Sequence, residues 1–303
     1  MSTAAQGAAG WVRAARRWWY PSVPVLRIAW IRLFVYLFVL YDITALTKGT
    51  MGNAHLPASL YQPVWLADTL HLPVPTPALA ETLRMVMFIG APIAALGILP
   101  RLSGTVMAVA FTWWEFVYMS YGKIDHDHFA ITVTLWLLPT AGRARFRDRH
   151  SDERAGWVIR CMQMSVVLSY FFAAWAKIRE SGFRWVTGAT FYWAIERRGT
   201  GFARPLQDHP VLLQLGQWVM MIAELLAPVM LVLRRWWLFF AVCFWLGFHL
   251  LTYLSIEIHF LPTVICFTAF VPWERVDARL RAGLRRVRPK RSLTPPEPAV
   301  LVP

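Results

Sequence analysis

The chain has 303 residues, of which 57% are hydrophobic and 15% aromatic, and it carries a formal net charge of +14. A composition this apolar excludes a soluble globular protein and predicts an integral membrane protein with several spans. The charge does not indicate nucleic-acid binding, because the basic residues form short clusters between apolar segments, where they set topology and contact anionic headgroups. We therefore expect membrane lipid as a partner and no nucleic acid.

Three segments follow from how the composition changes along the chain. Residues 1–20 are basic and lack the apolar core of a cleavable signal peptide, so we expect a cytoplasmic N-terminal segment. Residues 21–274 form the membrane domain. Residues 275–303 are basic and rich in Pro, and we predict a disordered cytoplasmic tail there.

We predict an all-α bundle of about eight transmembrane helices, because apolar windows of roughly 16–23 residues recur along the chain. Helix breakers and charges, such as Pro100-Arg101 and Arg234-Arg235, separate these windows. The windows lie near residues 25–46, 77–99, 102–121, 127–141, 157–176, 211–233, 236–254 and 258–273.

The distribution of basic residues predicts the orientation of this bundle. If the N-terminus lies in the cytoplasm, all five inside segments are basic, and both termini are cytoplasmic. We expect a multi-pass protein of the cell membrane, the inner membrane in a bacterium, with Asp42, residues 125–128 and Lys177 toward the outer face. The outer loop 177–210 is also basic. Either a helix lying on headgroups around residues 191–195 or a cationic site for an acidic substrate explains that charge.

Lys177 follows a long apolar run, Cys161 to Ala176, that contains no acidic residue. An amine removed from water at that position loses its proton more readily than a hydrated amine, and it can act as a base near neutral pH. A lysine at the end of a membrane helix also often extends its amine to the interface without doing chemistry. The local sequence leaves both interpretations open.

The polar turn Asp125-His126-Asp127-His128 opens the fourth window and alternates carboxylates with imidazoles. In a helix, His126 and His128 point roughly 200° apart, whereas Asp125 and His128 share a face. We therefore predict one functional histidine, His128, and no metal site. The alternative is an aqueous turn whose polar residues lie at the membrane interface.

Other ionisable residues lie inside the apolar windows. Glu224 and His249 are each surrounded by apolar residues, so we expect both to face the interior of the bundle. Asp42 lies near the end of the first window. For Arg32 and Glu115 we favour polar pairing between helices that fixes their packing.

Four parts of the sequence carry a resemblance to one family. They are the stretch 27–32 with Tyr41-Asp42, the turn that ends in His128, the stretch 170–185 with Gly188, and Phe248-His249 followed by Ser255-Ile256. In this combination they resemble the vitamin K-dependent γ-carboxylase family and its horizontally transferred transmembrane (HTTM) domain. The resemblance covers roughly residues 20–274, and its most specific part is the order of aromatic residues, small residues, lysine and Trp-Val-x-Gly.

The resemblance implies a membrane reaction of a reduced, vitamin K-like quinone (a quinol) with O2, with CO2 and an acidic peptide or protein as further substrates. In the family a lysine deprotonates the quinol, whose reaction with O2 ends in a quinone epoxide. By match, Lys177 is that base, and His128 is the histidine that assists it. The substrate-binding positions implied by the match are His249, Trp185, Tyr170 and Asp42.

The chain departs from the animal carboxylases at two places. A short basic tail follows Trp273, where those enzymes have a large extramembrane portion that helps to hold the protein substrate. Leu250-Leu251-Thr252 follows the Phe-His pair, where they have an asparagine. The leading hypothesis is therefore a quinol-dependent oxygenase or epoxidase, an oxidoreductase that acts with or without the carboxylase (lyase) reaction.

Two functions of other classes remain as alternatives. One is a non-catalytic membrane protein that keeps the HTTM fold for binding or immunity, and such a protein should tolerate replacement of Lys177. The other is a haem- or quinone-linked electron carrier that uses His249 together with His126 or His128, because histidines in facing membrane helices ligate haem iron. A visible absorption spectrum of the purified protein tests the second alternative.

Overall fold

The computed structural model describes residues 3–287, which are almost entirely helical. The helices are α1 (Thr3–Trp19), α2 (Leu26–Tyr41), α3 (Gly49–Asn53), α4 (Trp65–Thr69), α5 (Pro77–Ala95), α6 (Pro100–Met119), α7 (Phe129–Leu137), α8 (Glu153–Ser181), α9 (Arg184–Thr187), α10 (Thr190–Arg198), α11 (Pro210–Leu226), α12 (Arg235–Ile256), α13 (Leu261–Cys266) and α14 (Trp273–Val287). Two short strands, β1 (Val23–Pro24) and β2 (Ser151–Asp152), pair antiparallel. The predicted all-α fold is confirmed.

Several helices are extended or preceded by turns of a different pitch. A π-helical segment, Asp42–Leu46, continues α2. The 3-10 segments are Ala58–Leu60, His126–His128, Leu138–Ala141, Arg204–Asp208, Ala227–Leu231 and Phe267–Phe270. A π-helical turn inside a helix often marks a functional position, and this one begins at Asp42.

Each of the eight predicted windows contains a helix, but the helices differ in length. Within the described residues, five segments are long and apolar enough to cross a membrane: Leu26–Leu46, Pro77–Ala95, Glu153–Ser181, Pro210–Leu231 and Arg235–Ile256. The other three windows hold α6, which is less apolar, and the shorter helices α7 and α13. The structure therefore supports a helical membrane protein with several spans.

Local sequence explains where the hairpin of α5 and α6 begins and turns. The Thr76 side chain caps α5 by accepting a hydrogen bond from the Leu79 amide at 3.2 Å, and Pro77 occupies the first turn. Gly97 follows α5 with φ of 70°, a left-handed conformation that favours glycine. Pro100 then starts α6, where its missing N–H costs no hydrogen bond.

Burial separates the central helices from those at the periphery. Residues of α2 such as Leu26, Ile28 and Ile31 are fully buried, whereas in α12 Trp245 and His249 are the buried residues. The remaining large apolar side chains of α12 are mostly exposed, as expected for a helix that faces lipid. The core of the membrane domain therefore lies around α2 and its neighbours.

Arg32 is a buried charged residue of α2 that hydrogen-bonds the 3-10 segment after α7. Its guanidinium donates to the carbonyl oxygens of Leu138 at 3.0 Å and Gly142 at 2.6 Å. These carbonyls lie at the end of the helical segment that begins at Phe129, where no further helical turn satisfies them. The structure therefore agrees with a packing role for Arg32.

Helices cover part of each terminal segment. The first compact unit ends at Val271 and the second begins at Pro272. Helix α14 covers the first part of the predicted tail, because no Pro occurs in it and Asp277 accepts a hydrogen bond from Arg281 at 2.8 Å, one turn later. At the other end, α1 occupies most of the segment 1–20. The rest of the predicted tail, 288–303, lies outside the described residues.

Replacement of Gly156 by Ala should destabilise the protein, because the added methyl group would overlap the backbone carbonyl of Pro21. Overpacking costs typically about 1–3 kcal/mol, and backbone cannot move aside as a flexible side chain can. We expect a lower midpoint of thermal unfolding for the variant in detergent. Gly247→Ala on α12 is the control, since its methyl group meets nothing within 4 Å. An equal midpoint for both variants would contradict the packing described here.

Candidate functional site

Lys177 forms an ion pair with an acid from another helix. Its Nζ atom lies 2.5 Å from both carboxylate oxygens of Glu224. The Glu224 side chain is 7% exposed and the Lys177 side chain 25%. The acid that is missing from the run Cys161 to Ala176 is therefore supplied by α11, and the amine is the more accessible partner of the pair.

The two helices meet along matching faces. On α8, Tyr170 and Lys177 are seven residues apart, which is close to two turns, so they share a face. On α11, Gln217 and Glu224 have the same spacing. The apolar residues between these positions pack against each other and against α9. Each face thus carries two polar side chains separated by an apolar contact.

Trp185 covers the amine of the ion pair. The Lys177 Nζ atom lies 4.5 Å from the centroid of the Trp185 ring, within the range of a cation–π contact. Trp185 is carried by the short helix α9, which ends at Gly188. A side chain at position 188 would approach the carbonyl oxygen of Arg184 to 2.7 Å, which explains why glycine ends the Trp-Val-x-Gly motif.

Gln217 fixes this motif in place. Its amide nitrogen donates to three backbone carbonyls, those of Trp185 at 3.1 Å, Val186 at 2.9 Å and Gly188 at 2.9 Å. Its amide oxygen accepts from the backbone N–H of Phe191 at 2.8 Å. Gln217 is 1% exposed, so water does not reach the backbone groups that it contacts. Its side chain supplies the hydrogen bonds that these groups would otherwise lack.

A second polar contact joins α8 to α12. The Tyr170 hydroxyl lies 2.6 Å from Nε2 of His249, and both side chains are buried. The Tyr170 ring stacks on Trp245, with ring centroids 3.8 Å apart. Within the described part of the chain, Nδ1 of His249 has no hydrogen-bond partner. The histidine therefore keeps one ring nitrogen free for a ligand.

The third group, here called the acidic cluster, consists of Asp42, Glu115, Asp127 and His128. Nε2 of His128 lies 3.0 Å from a carboxylate oxygen of Asp42. Nδ1 lies 3.3 Å from Asp127 and 3.8 Å from Glu115. None of the four residues is more than 8% exposed. Three carboxyl groups thus surround one imidazole in a buried site.

The partners of the turn 125–128 differ from those expected for a helix. Asp125 forms an ion pair with Lys123, and His128 contacts Asp42. The turn is a 3-10 segment, which changes the directions of its side chains relative to an α-helix. His126 is exposed, and its ring lies 6.3 Å from that of Phe260.

Phe260 lies beside both His249 and the turn 125–128, which carries Asp127 and His128 of the acidic cluster. Its ring centroid is 5.3 Å from the His249 ring and 6.3 Å from the His126 ring. Nearby, the Thr263 hydroxyl donates to the backbone carbonyl of Asp127 at 2.9 Å. The segment that includes α13 therefore packs against both groups.

Each of the six predicted site residues contacts one of the other five. They form three pairs: Lys177 with Trp185, Tyr170 with His249, and His128 with Asp42. The sequence placed Glu224 in the interior without pairing it with Lys177, and it gave Gln217 no role. Two polar residues seven positions apart in an otherwise apolar helix are the signal that identifies both.

A cavity of about 210 Å³ lies away from these contacts. Trp18, Arg160 and Arg234 are among the residues that line it. Arg160 precedes Lys177 by seventeen residues on the same helix, a separation of about 25 Å along its axis. The cavity is therefore not part of the Lys177 site.

Comparisons with protein-family models, with curated proteins and with solved structures gave no match to this chain. Function therefore has to be inferred from the contacts described above and from the resemblance of the sequence.

Proposed function

We propose that this chain is a multi-pass membrane enzyme that oxidises a lipid-soluble quinol with O2, and that Lys177 is its base. The observation that carries the proposal is the partly buried contact between Lys177 and Glu224, covered by the ring of Trp185. Its lysine and its Trp-Val-x-Gly motif are those on which the resemblance to the HTTM domain family depends. We further propose that this oxidation can drive carboxylation of an acidic peptide or protein.

The ion pair allows Lys177 to lose a proton and become a neutral amine. In surroundings of low dielectric, charge separation is costly, so the ammonium can transfer its proton to the Glu224 carboxylate. The neutral amine then accepts the proton of a quinol hydroxyl. After that transfer a positive amine remains beside the oxygen that lost the proton, where it stabilises negative charge.

The surroundings of the pair suit a lipid-soluble aromatic substrate. The aromatic surface at the amine is the ring of Trp185, and Phe172 and Trp175, which are 56% and 55% exposed, make the opposite side of α8 aromatic toward the lipid. Nδ1 of His249 is buried, and among the described residues it has no partner, so it can accept a hydrogen bond from a substrate hydroxyl. Exclusion of water protects a reactive intermediate.

The overall reaction is balanced without a further reductant. The quinol supplies four electrons and two protons to O2, two electrons as it becomes the quinone and two as the quinone gains an oxygen atom, so that one oxygen atom enters the quinone as an epoxide and the other leaves as water. Purified protein in lipid should therefore consume O2 when a reduced quinone is supplied and should form the epoxide. Absence of quinol-dependent O2 consumption would contradict the proposal.

An electron-carrier function is less well supported by the contacts. Haem ligation through Nε2 of His249 or of His128 would break their contacts with Tyr170 and Asp42, so only the Nδ1 atoms of the two rings could serve without that loss. A Soret absorption band in the purified protein would nevertheless favour this alternative. A protein that consumes no quinol and shows no such band would favour the binding or immunity alternative.

For the topology we propose eight spans with both termini in the cytoplasm, in which α6, α7 and α13 add three spans to the five long helices. The five basic inside segments support this orientation. A phosphatase that is active only outside the cytoplasm, fused after Pro303, should be inactive. The same reporter fused after Gly201, in the loop after Lys177, should be active. The reverse pattern would overturn the orientation and the face assigned to Lys177.

A further inference from the structure

The acidic cluster is a second site, separate from the ion pair of Lys177. Its members come from different parts of the chain: Asp42 follows α2, Glu115 lies on α6, and Asp127 and His128 precede α7. Asp42 is 0% exposed and Glu115 3%. Three buried carboxyl groups share a single imidazole, so carboxylate charge exceeds the positive charge available within the cluster.

Glu115 is a buried member of this cluster whose carboxyl group lacks hydrogen-bond partners among the described residues. Within the described residues, neither of its carboxylate oxygens has a hydrogen-bond partner, and neither does Nδ1 of His128. A buried carboxyl group that is not hydrogen-bonded is costly, and native proteins pair such groups with a cation or a donor. The cluster therefore needs either a bound cation or additional protons.

Asp42 is held in position by neighbours that bind its other oxygen. The Thr47 hydroxyl donates to Oδ1 of Asp42 at 2.9 Å, and the indole N–H of Trp114 donates to the same Thr47 hydroxyl oxygen at 2.8 Å. These bonds leave Oδ2 directed toward His128. A carboxylate fixed in this way by a supporting shell of hydrogen bonds is typical of a metal ligand.

We propose that Asp42, Glu115 and His128 together bind one divalent first-row transition-metal ion. One donor atom of each residue lies within 4.8 Å of the donor atoms of the other two. Donors bound to one ion at about 2.0–2.2 Å lie no more than about 4.4 Å apart, so small side-chain movements bring all three onto the ion. Two carboxylate oxygens and one imidazole nitrogen suit Mn²⁺, Fe²⁺ or Zn²⁺ better than they suit Mg²⁺ or Ca²⁺.

The charges of the ion and its three ligands balance, whereas Asp127 is not a ligand and lies beside Nδ1 of His128. Two carboxylates and a neutral imidazole offset the two positive charges of the ion, which explains how Asp42 and Glu115 can be buried together. No metal was predicted from the sequence, because the turn 125–128 was judged by its own residues. Asp42 lies 86 residues before His128, and Glu115 lies on the preceding helix α6, so neither belongs to that turn.

Metal binding by the purified protein tests this site. The protein should carry an affinity tag without histidine, be stripped with a chelator, and be titrated with Mn²⁺ and with Zn²⁺. We expect one ion per chain. Glu115→Gln and Asp42→Asn should each weaken binding by roughly 100-fold or more, because even residues that only support a ligand contribute about 10–100-fold. Glu81→Gln is the control, since Glu81 is partly exposed and pairs with Arg84.

Thermal unfolding provides a second readout that does not use enzymatic turnover. An ion that binds only the folded protein raises the unfolding midpoint, so it should stabilise wild type and Glu81→Gln but not Glu115→Gln. Equal affinity in wild type and Glu115→Gln, or no binding by the stripped wild type, would overturn the proposal. The cluster would then be neutralised by protons. If Glu115→Gln does not fold, wild type and Asp42→Asn decide the question by the same comparison.

Discussion

Replacement of Lys177 by Arg is expected to abolish oxygen-dependent quinol consumption as fully as replacement by Ala. Arg keeps a positive charge that can pair with Glu224 and extend to the interface, but its guanidinium stays protonated at any usable pH. A neutral base is therefore lost in both variants. General-base catalysis contributes about 10²–10⁴-fold, so turnover should fall by at least about 100-fold.

The measurement is O2 consumption by purified protein in lipid with a supplied quinol. Wild type, Lys177→Arg and Lys177→Ala are compared, and Lys48→Arg serves as the control because Lys48 is exposed. Each variant is first checked for a single folded species by size-exclusion chromatography. If Arg restores the activity that Ala removes, Lys177 is a cationic anchor and not the base. If wild type consumes no quinol, the enzymatic proposal is wrong and a non-catalytic binding or immunity protein is favoured.

The variant Glu224→Gln distinguishes the role of Glu224 from that of Lys177. Gln has nearly the same shape but cannot accept the proton of Lys177, so the direct transfer between the two side chains is lost and turnover should fall with that of Lys177→Ala. Full activity in Glu224→Gln would show that Lys177 reaches its neutral form without this acid. Activity in Lys177→Arg together with loss in Glu224→Gln would instead identify Glu224 as the base.

The positions of the helices could be predicted because the signal for them is local. Apolar length and helix breakers such as Pro100 lie in neighbouring residues, and a helix lies in every predicted window. The shortness of α7 and α13 was not predicted, because a 3-10 segment or a Pro changes the pitch without changing hydropathy.

The partners within the site could not be predicted in the same way. Lys177 and Glu224 are 47 residues apart, and the local sequence does not record which helix faces which. Glu115 was assigned to packing between helices, yet within the described residues its carboxylate oxygens have no hydrogen-bond partner. Sequence thus identified which polar residues are unusual, whereas their chemistry depends on the neighbours that the fold supplies.

Replacement of Gln217 by Glu should disable the site without touching the substrate. The carboxylate keeps the shape of the side chain but lacks the N–H groups that donate to the carbonyls of Trp185, Val186 and Gly188. It also places negative charge against three carbonyl oxygens, which should move α9 away. Misplacement of a site residue by about 1 Å can cost 10²-fold in rate, so we expect turnover to fall by about 100-fold.

Gln214→Glu is the matched control for this variant, because Gln214 lies on the exposed face of the same helix and bonds only the Thr187 carbonyl among the described contacts. Its turnover should stay close to that of wild type. If Gln217 acts by positioning Trp185, the double variant Trp185→Ala with Gln217→Glu should turn over as fast as Trp185→Ala alone. The contact of the Trp185 ring with Lys177 is already absent from the single variant. Additive losses in the double variant would show that Gln217 stabilises the fold as a whole, and that the position of Trp185 over Lys177 does not depend on it.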